Sequence, residues 1–267
     1  MLGWRERGFH RCGPGHRAAL AQWYRTPLGR ALARVEQARM DEALAGLFGY
    51  HLLQVGRIHD CDLLRSSRVS HTAVMDIGGQ PGAAVRGEPE VLPLAASSLD
   101  VLVLPHVLEF SRHPHEVLRE AERVLIPEGH LVLLGFNPWS AWMPVHLVLQ
   151  WRGRAPWCGR FLSVARVRDW LALLGLDVVE VKSYFYRPPL QQARFMERLG
   201  FLERVGEALW PPLGAGYVLV ARKRVATLTP IRPRWRPRRR LVAAPGLKPL
   251  PPEAGRRPQG VHRGRLG

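Results

Sequence analysis

Cysteine is scarce in this chain. Cys12, Cys61 and Cys158 are the only three, at spacings of 49 and 97 residues. An odd, widely spaced set fits neither a disulfide framework nor a C-x-x-C metal or redox pair, and a reducing cytoplasm is the simplest compartment. Long apolar runs are also missing, none approaching the ~20 residues needed to cross a bilayer. Met1 to Arg17 carries Arg5, Glu6, Arg7 and Arg11 and no apolar signal-peptide core, so neither secretion nor a membrane span is expected. Lysine is nearly absent, 3 residues against 36 arginines, and acids are outnumbered to a net charge of +17. That excess is not evenly spread. Residues 1–40 carry +6 and residues 225–267 carry +10, which leaves residues 41–224 at +1. A protein that reads nucleic acid with its folded surface carries a basic face on the domain itself; here the basicity belongs to the ends. At 267 residues, 46% hydrophobic and 23% charged, the chain can still bury a sizeable core.

Three regions follow from the pattern. Residues 1–48 form a helical N-terminal segment. Within it Thr26-Pro27 reads as an N-cap followed by proline at the first helical position, and Leu28, Leu32 and Val35 recur at helical spacing; the helix is expected from about Ala18 to Leu47. From Gly49 to residue 224 short apolar runs alternate with helical stretches, the signature of an α/β sheet with crossover helices. The runs are His51–Val55, Thr72–Met75, Val101–Leu104, Leu131–Leu134, Leu176–Val181 and Tyr217–Ala221. The helices are Pro114–Leu125, ending at a turn over Pro127-Glu128-Gly129, and Ser163–Leu174. One interval is too short. Seven residues separate Met75 from the next possible strand, Ala83–Arg86, and a parallel crossover takes about a dozen. Either a helix is missing there or Ala83–Arg86 is not a parallel strand. Residues 225–267, with Pro-Arg repeats from Ile231 to Arg240, cannot bury enough apolar surface to fold and are expected to be a disordered basic tail.

The block from Val85 to Glu109 (VRGEPEVLPLAASSLDVLVLPHVLE), followed by Leu118 to Val132 (LREAERVLIPEGHLV), resembles class I S-adenosylmethionine-dependent methyltransferases of the small-molecule "type 11" group. The helical lead-in, Gly49–Gly56 and Gly135–Pro138 look further like a subgroup of bacterial methyltransferase-like proteins, extending the resemblance over most of residues 20–224. It implies a Rossmann-like class I methyltransferase fold, a mostly parallel sheet with a final antiparallel strand, and S-adenosylmethionine as cofactor.

The same resemblance implies site residues, each for a physical reason. Asp76 would accept from both ribose hydroxyls at a strand terminus. Glu88, which Glu90 could replace, would accept from the adenine amino group, with Leu92 near the ring. Pro105 and His106 would face the methionine portion and the methyl acceptor, His106 being the candidate base. The glycine motif is degenerate. In Gln54-Val55-Gly56-Arg57-Ile58-His59-Asp60 only the first of three alternating glycines survives, Gln54 replaces an acid, and Ile58 and Asp60 would project where backbone must approach the cofactor. Arg57 could pair with the methionine carboxylate.

Other readings of these residues stay open. Asp76, Glu88 and Glu90 could be solvated loop acids, His106 a buried, satisfied histidine, and Asp100 a structural brace. His106, His113 and His115 lack zinc-like spacing, so no metal is expected. Trp139, Trp142, Trp151 and Trp157 could cap an apolar acceptor, dock on a membrane surface with Arg152 and Arg154, or simply pack over the sheet edge. Leu190–Trp210 reads as an amphipathic helical insertion.

Methyl transfer to an unidentified small-molecule acceptor is therefore the leading expectation. The alternative is a non-catalytic protein of the same fold with a regulatory or binding role, associated with nucleic acid nonspecifically through its tail.

Overall fold

A computed structural model describes residues 16–58, 62–77, 85–189, 191–192 and 199–224. The N-terminal helix is two helices. Helix α1 (His16–Tyr24) stops at Thr26, whose extended backbone and hydroxyl, accepting from the Gly29 N–H at 3.2 Å, start α2 (Pro27–Ala45). A Cβ on Gly29 would run into the Trp23 carbonyl, so glycine lets the second helix pack directly on the end of the first.

Seven strands follow: β1 (His51–Val55), β2 (His71–Asp76), β3 (Val85–Arg86), β4 (Leu99–Pro105), β5 (Leu125–Phe136), β6 (Leu176–Tyr184) and β7 (Gly216–Lys223). They form one sheet in the order β3-β2-β1-β4-β5-β7-β6. Strands β1 to β5 pair in parallel, and β7 lies antiparallel between β5 and β6. The expected mostly parallel sheet with a final antiparallel strand is thus the one observed. Ala83–Arg86 resolves into a two-residue parallel strand, Met75 pairing with Val85 and Asp76 with Arg86; residues 78–84 of the connection lie outside the described residues. The expected turn at Pro127-Glu128-Gly129 is instead part of β5. Glu128 takes up the distortion with a φ of 65°, and the β4–β5 register shifts between Leu99 and Val101.

Alternation along the strands divides the core in two. Leu52, Val101, Val103, Val132 and Leu134 point to the face covered by α1 and α2, whereas Leu53, Leu102, Leu104, Leu131 and Leu133 point to the face covered by α3 (Pro114–Val124) and α5 (Val164–Leu173). The β1-to-β2 connection shows no helix among its described residues. Its Ile58, Leu63, Leu64 and Val69 drop into the cluster built on α2, which supplies the helical cover for that face.

Helix α4 (Met143–Leu149), with a 3-10 turn at Gln150–Arg152, lies in the excursion after β5; α6 (Phe201–Leu209), with a 3-10 turn at Pro211–Leu213, precedes β7. The tryptophans between 139 and 157 divide. Trp142 and Trp157 are buried, Trp142 meeting Phe136, Phe185, Trp157 and Trp23 at ring separations of 5.4 to 6.1 Å and donating through Nε1 to the Arg187 carbonyl at 3.0 Å. Trp139 and Trp151 are exposed. The amphipathic helix expected over Leu190–Trp210 is observed only as α6; residues 190 and 193–198 lie outside the described residues.

Two further expectations meet the structure. Cys158 is disulfide-bonded, which corrects the reading of three unpaired cysteines; Cys12 and Cys61, the only other cysteines, lie outside the described residues. The basic tail, 225–267, also lies outside them. Among the described residues no helix is long and apolar enough to cross a membrane.

Candidate functional site

The strand order reverses between β1 and β4, and in open α/β sheets ligands sit in the crevice at the carboxyl ends of the strands flanking that switch. Three chain segments end there. After β1, Gly56 turns with φ 83° and donates its N–H to the Met75 carbonyl at 2.7 Å. Gln54 is buried and donates through Nε2 to the Gly56 carbonyl at 2.9 Å, so it braces this turn. Asp76, buried, ends β2 beside it. At the end of β4 the chain turns through His106, a non-glycine residue with φ 47°, a backbone conformation costing roughly 1–3 kcal/mol that surrounding contacts must offset.

Helix α1 reaches into this crevice with Arg17, one of the basic residues of the N-terminal segment. The residue is 8% exposed, and Nη1 lies 2.5 Å from where a Cβ on Gly56 would sit. Burial pulls its pKa down to about 10, against the opposing pull of Glu109, Glu90 and Asp76. Arg17 Nε and Nη1 and Glu109 Oε2 are buried without hydrogen-bond partners among the described residues. The crevice therefore carries unmatched donors of positive charge and an unmatched negative acceptor, each of which costs free energy until something polar meets it.

His106 is fully buried. Its Nδ1 lies 2.9 Å from Glu109 Oε1 and its Nε2 3.1 Å from Glu36 Oε1 on α2, while the ring stacks on Phe136 at 4.1 Å. Glu109 Oε1 also accepts the Phe136 N–H at 2.8 Å. Tyr24 donates to both Glu36 oxygens at 3.0 and 2.9 Å, and Tyr184 to Oε1 at 3.2 Å. Burial by itself would lower the imidazole's pKa, but the carboxylates of Glu109 and Glu36 on either side lift it to about 9. The tyrosine hydroxyls are held protonated, by burial and then by Glu36. His106 is thus an imidazolium clamped between two carboxylates, with no free nitrogen to take an acceptor's proton. Both ring nitrogens are engaged, so the geometry leaves neither for the base role expected of His106.

The remaining expected residues are only partly gathered at this edge. Glu88 follows β3 in an isolated bridge with Val91 and is exposed. Glu90 lies deeper, accepting from the Ser111 hydroxyl at 2.5 Å and acting on Arg17. Leu92 is buried in the cluster under α3, its N–H donating to Glu120 at 2.9 Å. Pro105 is the last residue of β4, buried opposite Leu134. Arg57 is half-buried. Ile58 does not project toward a ligand but into the core against α2, and Asp60 lies outside the described residues. Asp100 is a brace, accepting the Tyr50 and His51 N–H groups at 3.0 and 2.9 Å to fix the start of β1. Among the described residues no group of three or more His, Cys, Asp or Glu could hold a metal; His115 lies against Trp170, and His113 precedes α3. Arg17, Glu36 and Glu109, which the structure brings to this edge, are not singled out by the sequence. The signal available was the i, i+3 pairing of Glu109 with His106 inside the block already singled out.

Residues 51–133 match the family model described as a methyltransferase domain. The protein YafS of Escherichia coli K12 is 32% identical over 207 residues, covering 78% of this chain and 82% of YafS. The chain belongs to the class I S-adenosylmethionine-dependent methyltransferases. Solved structures agree on the fold. A chain of the complex between the Haloferax volcanii Trm112 methyltransferase activator and a methyltransferase superposes with TM-score 0.53 at 16% identity, over 78% of this chain and 97% of that one. A methyltransferase from Thermotoga maritima gives 0.51 at 16% identity, over 72% and 89%.

The cofactor of this methyltransferase is S-adenosylmethionine, and the crevice suits it on three counts. A left-handed glycine lets the Arg17 guanidinium lie directly against the backbone after β1, where a Cβ would displace it. A buried carboxylate ends the neighbouring strand. The unmatched Arg17 guanidinium and Glu109 carboxylate carry opposite charges and lie near enough to act on each other, the pair of charges that a zwitterionic amino-acid end requires.

Proposed function

We propose that this methyltransferase acts on a small-molecule acceptor, with Arg17, Gly56, Asp76, Glu88 and Glu109 holding the methyl donor. The observation that carries the reading is the pair of buried, unmatched groups, Arg17 Nε and Nη1 against the Gly56 turn and Glu109 Oε2 beside His106. Arg17 would take the donor's carboxylate and Glu109 its ammonium, two charge-assisted contacts in a site shielded from water. This is how the chain would compensate for the missing glycines: the anchor comes from α1 instead of the loop after β1. Asp76 would accept from the ribose, and Glu88, exposed beyond β3, from the adenine amino group.

Bound S-adenosylmethionine supplies a methyl group on a sulfonium, already activated for in-line displacement. The protein's part is alignment and exclusion of water. Glu36, His106 and Glu109 serve the first: the α2 carboxylate fixes the imidazolium, which fixes Glu109 Oε1, leaving Oε2 turned to the ligand. With His106 clamped, a soft nucleophile that needs no base fits best. The near-neutral charge of residues 41–224 favours a small acceptor over nucleic acid. Calorimetric titration of nucleotide-stripped protein with S-adenosylmethionine and S-adenosylhomocysteine tests this. Saturable binding near micromolar is expected, and no heat up to millimolar would overturn it.

A further inference from the structure

Of the fifteen large apolar side chains exposed among the described residues, nine fall in just two excursions, 137–162 and 199–214. Both leave the same edge of the sheet. Phe136, the end of β5, and Tyr184, the end of β6, pair with the same residue, Gly216 at the start of β7. That is the carboxyl edge bearing Gly56, Asp76 and His106. The excursions are also tied together: Asn137 Nδ2 donates to the Pro212 and Gly214 carbonyls at 2.6 and 3.0 Å. Together the two excursions rim this edge of the sheet.

Its composition is specific. In the first excursion Trp139 (73% exposed), Leu147 (54%), Val148 (68%) and Trp151 (74%) stand in solvent, next to exposed Arg152 and Arg154. Between Glu128 and Asp169 there are five arginines and no acid. In the second, Phe201, Val205 and Leu209 form an exposed stripe at every fourth residue of α6. The two acids of that helix are already engaged, Glu203 with Arg187 at 3.1 Å and Glu207 with Arg39 at 2.8 Å. Exposed tryptophan beside arginine, with no free acid nearby, suits the headgroup region of an anionic bilayer: indole rings settle at the interface, and arginine meets lipid phosphate. A purely aqueous surface gains nothing from such a patch.

We propose that this rim docks the protein on anionic membrane surfaces, seating Trp139, Leu147, Val148 and Trp151 among the lipid headgroups with Arg152 and Arg154 on their phosphates. This is peripheral docking, not spanning, and it stands whether or not the crevice holds S-adenosylmethionine. The basic segment 225–267 adds long-range attraction by charge alone.

The test uses the full chain with vesicles of phosphatidylcholine, with and without phosphatidylglycerol, read by co-sedimentation and by quenching of tryptophan fluorescence with lipids brominated on the acyl chains. The variant Trp139→Ser/Leu147→Ser/Val148→Ser/Trp151→Ser changes only exposed side chains; an unchanged melting temperature and unchanged S-adenosylhomocysteine affinity establish that it is folded. Expected are binding to the anionic vesicles, quenching in the wild type, and loss of quenching with an affinity drop of roughly tenfold or more in the variant. Binding without quenching, or equal binding by the variant, overturns the proposal and assigns the attraction to the charged tail. A dimer in sedimentation that the variant dissociates, with no vesicle binding, overturns it in favour of an interface between two copies. No binding of either kind also overturns it.

Discussion

His106 and Glu36 are seventy positions apart in the chain, and their side chains meet at 3.1 Å in the interior. This contact joins the N-terminal helices to the carboxyl end of β4, and so makes α2 part of the site, not an appendage to the domain. Glu109 completes the clamp from the other side of the ring.

Removing Glu36 should therefore damage the fold. Glu36→Ala leaves a buried imidazolium with half its countercharge and strands the hydroxyls of Tyr24 and Tyr184. A loss of about 3–5 kcal/mol is expected from urea denaturation, against about 1 kcal/mol for Tyr24→Phe, which removes one hydroxyl.

Stability should fall on the alkaline side of neutrality. The pKa of His106 is raised in the folded protein to about 9 from an ordinary value of 6.5, so its protonation favours the folded state. That contribution is complete below pH about 6.5 and lost as pH rises through about 9. It is on the order of 3 kcal/mol. Melting temperatures across this window should decline in the wild type and stay flatter in His106→Gln; an equal decline in both would remove His106 as the cause.

Thiol counting distinguishes the disulfide from the free-cysteine reading. Denatured under non-reducing conditions, the protein should react with one equivalent of Ellman's reagent, since Cys158 and one partner are bonded. Three equivalents from air-oxidised protein would contradict the bond.

Gly56→Ala should be costly twice over. The backbone there is left-handed, and the added carbon would meet the Arg17 guanidinium. A stability loss of roughly 1 kcal/mol is expected from conformation alone, together with weaker S-adenosylhomocysteine binding through displacement of Arg17.

Much of this architecture could be read along the chain. Strand β1 and helix α3 fall where alternation and helical periodicity put them, and Ser163 caps α5 as its position suggests, because local periodicity reports which face is buried. The site was less legible. Arg17 and Glu36 look like solvated helix charges, since nothing local reveals that α1 and α2 cover a sheet face whose own β1-to-β2 connection shows no helix among its described residues. Their partners lie far along the chain. Ile58 read as an obstruction in a glycine loop because spacing alone does not say which way a side chain turns; it turns into the core. The Thr26 cap was visible, but the close approach of Gly29 to Trp23 that breaks the segment into two helices was not.

Arg17 is proposed to anchor the amino-acid end of the donor. Calorimetry on the wild type, Arg17→Gln and Glu88→Gln, each titrated with S-adenosylhomocysteine and with 5′-methylthioadenosine, which lacks that end, tests it most directly. Arg17→Gln is expected to weaken S-adenosylhomocysteine by roughly tenfold or more and to leave 5′-methylthioadenosine unchanged, while Glu88→Gln weakens both alike. Equal affinity of wild type and Arg17→Gln for S-adenosylhomocysteine would contradict it.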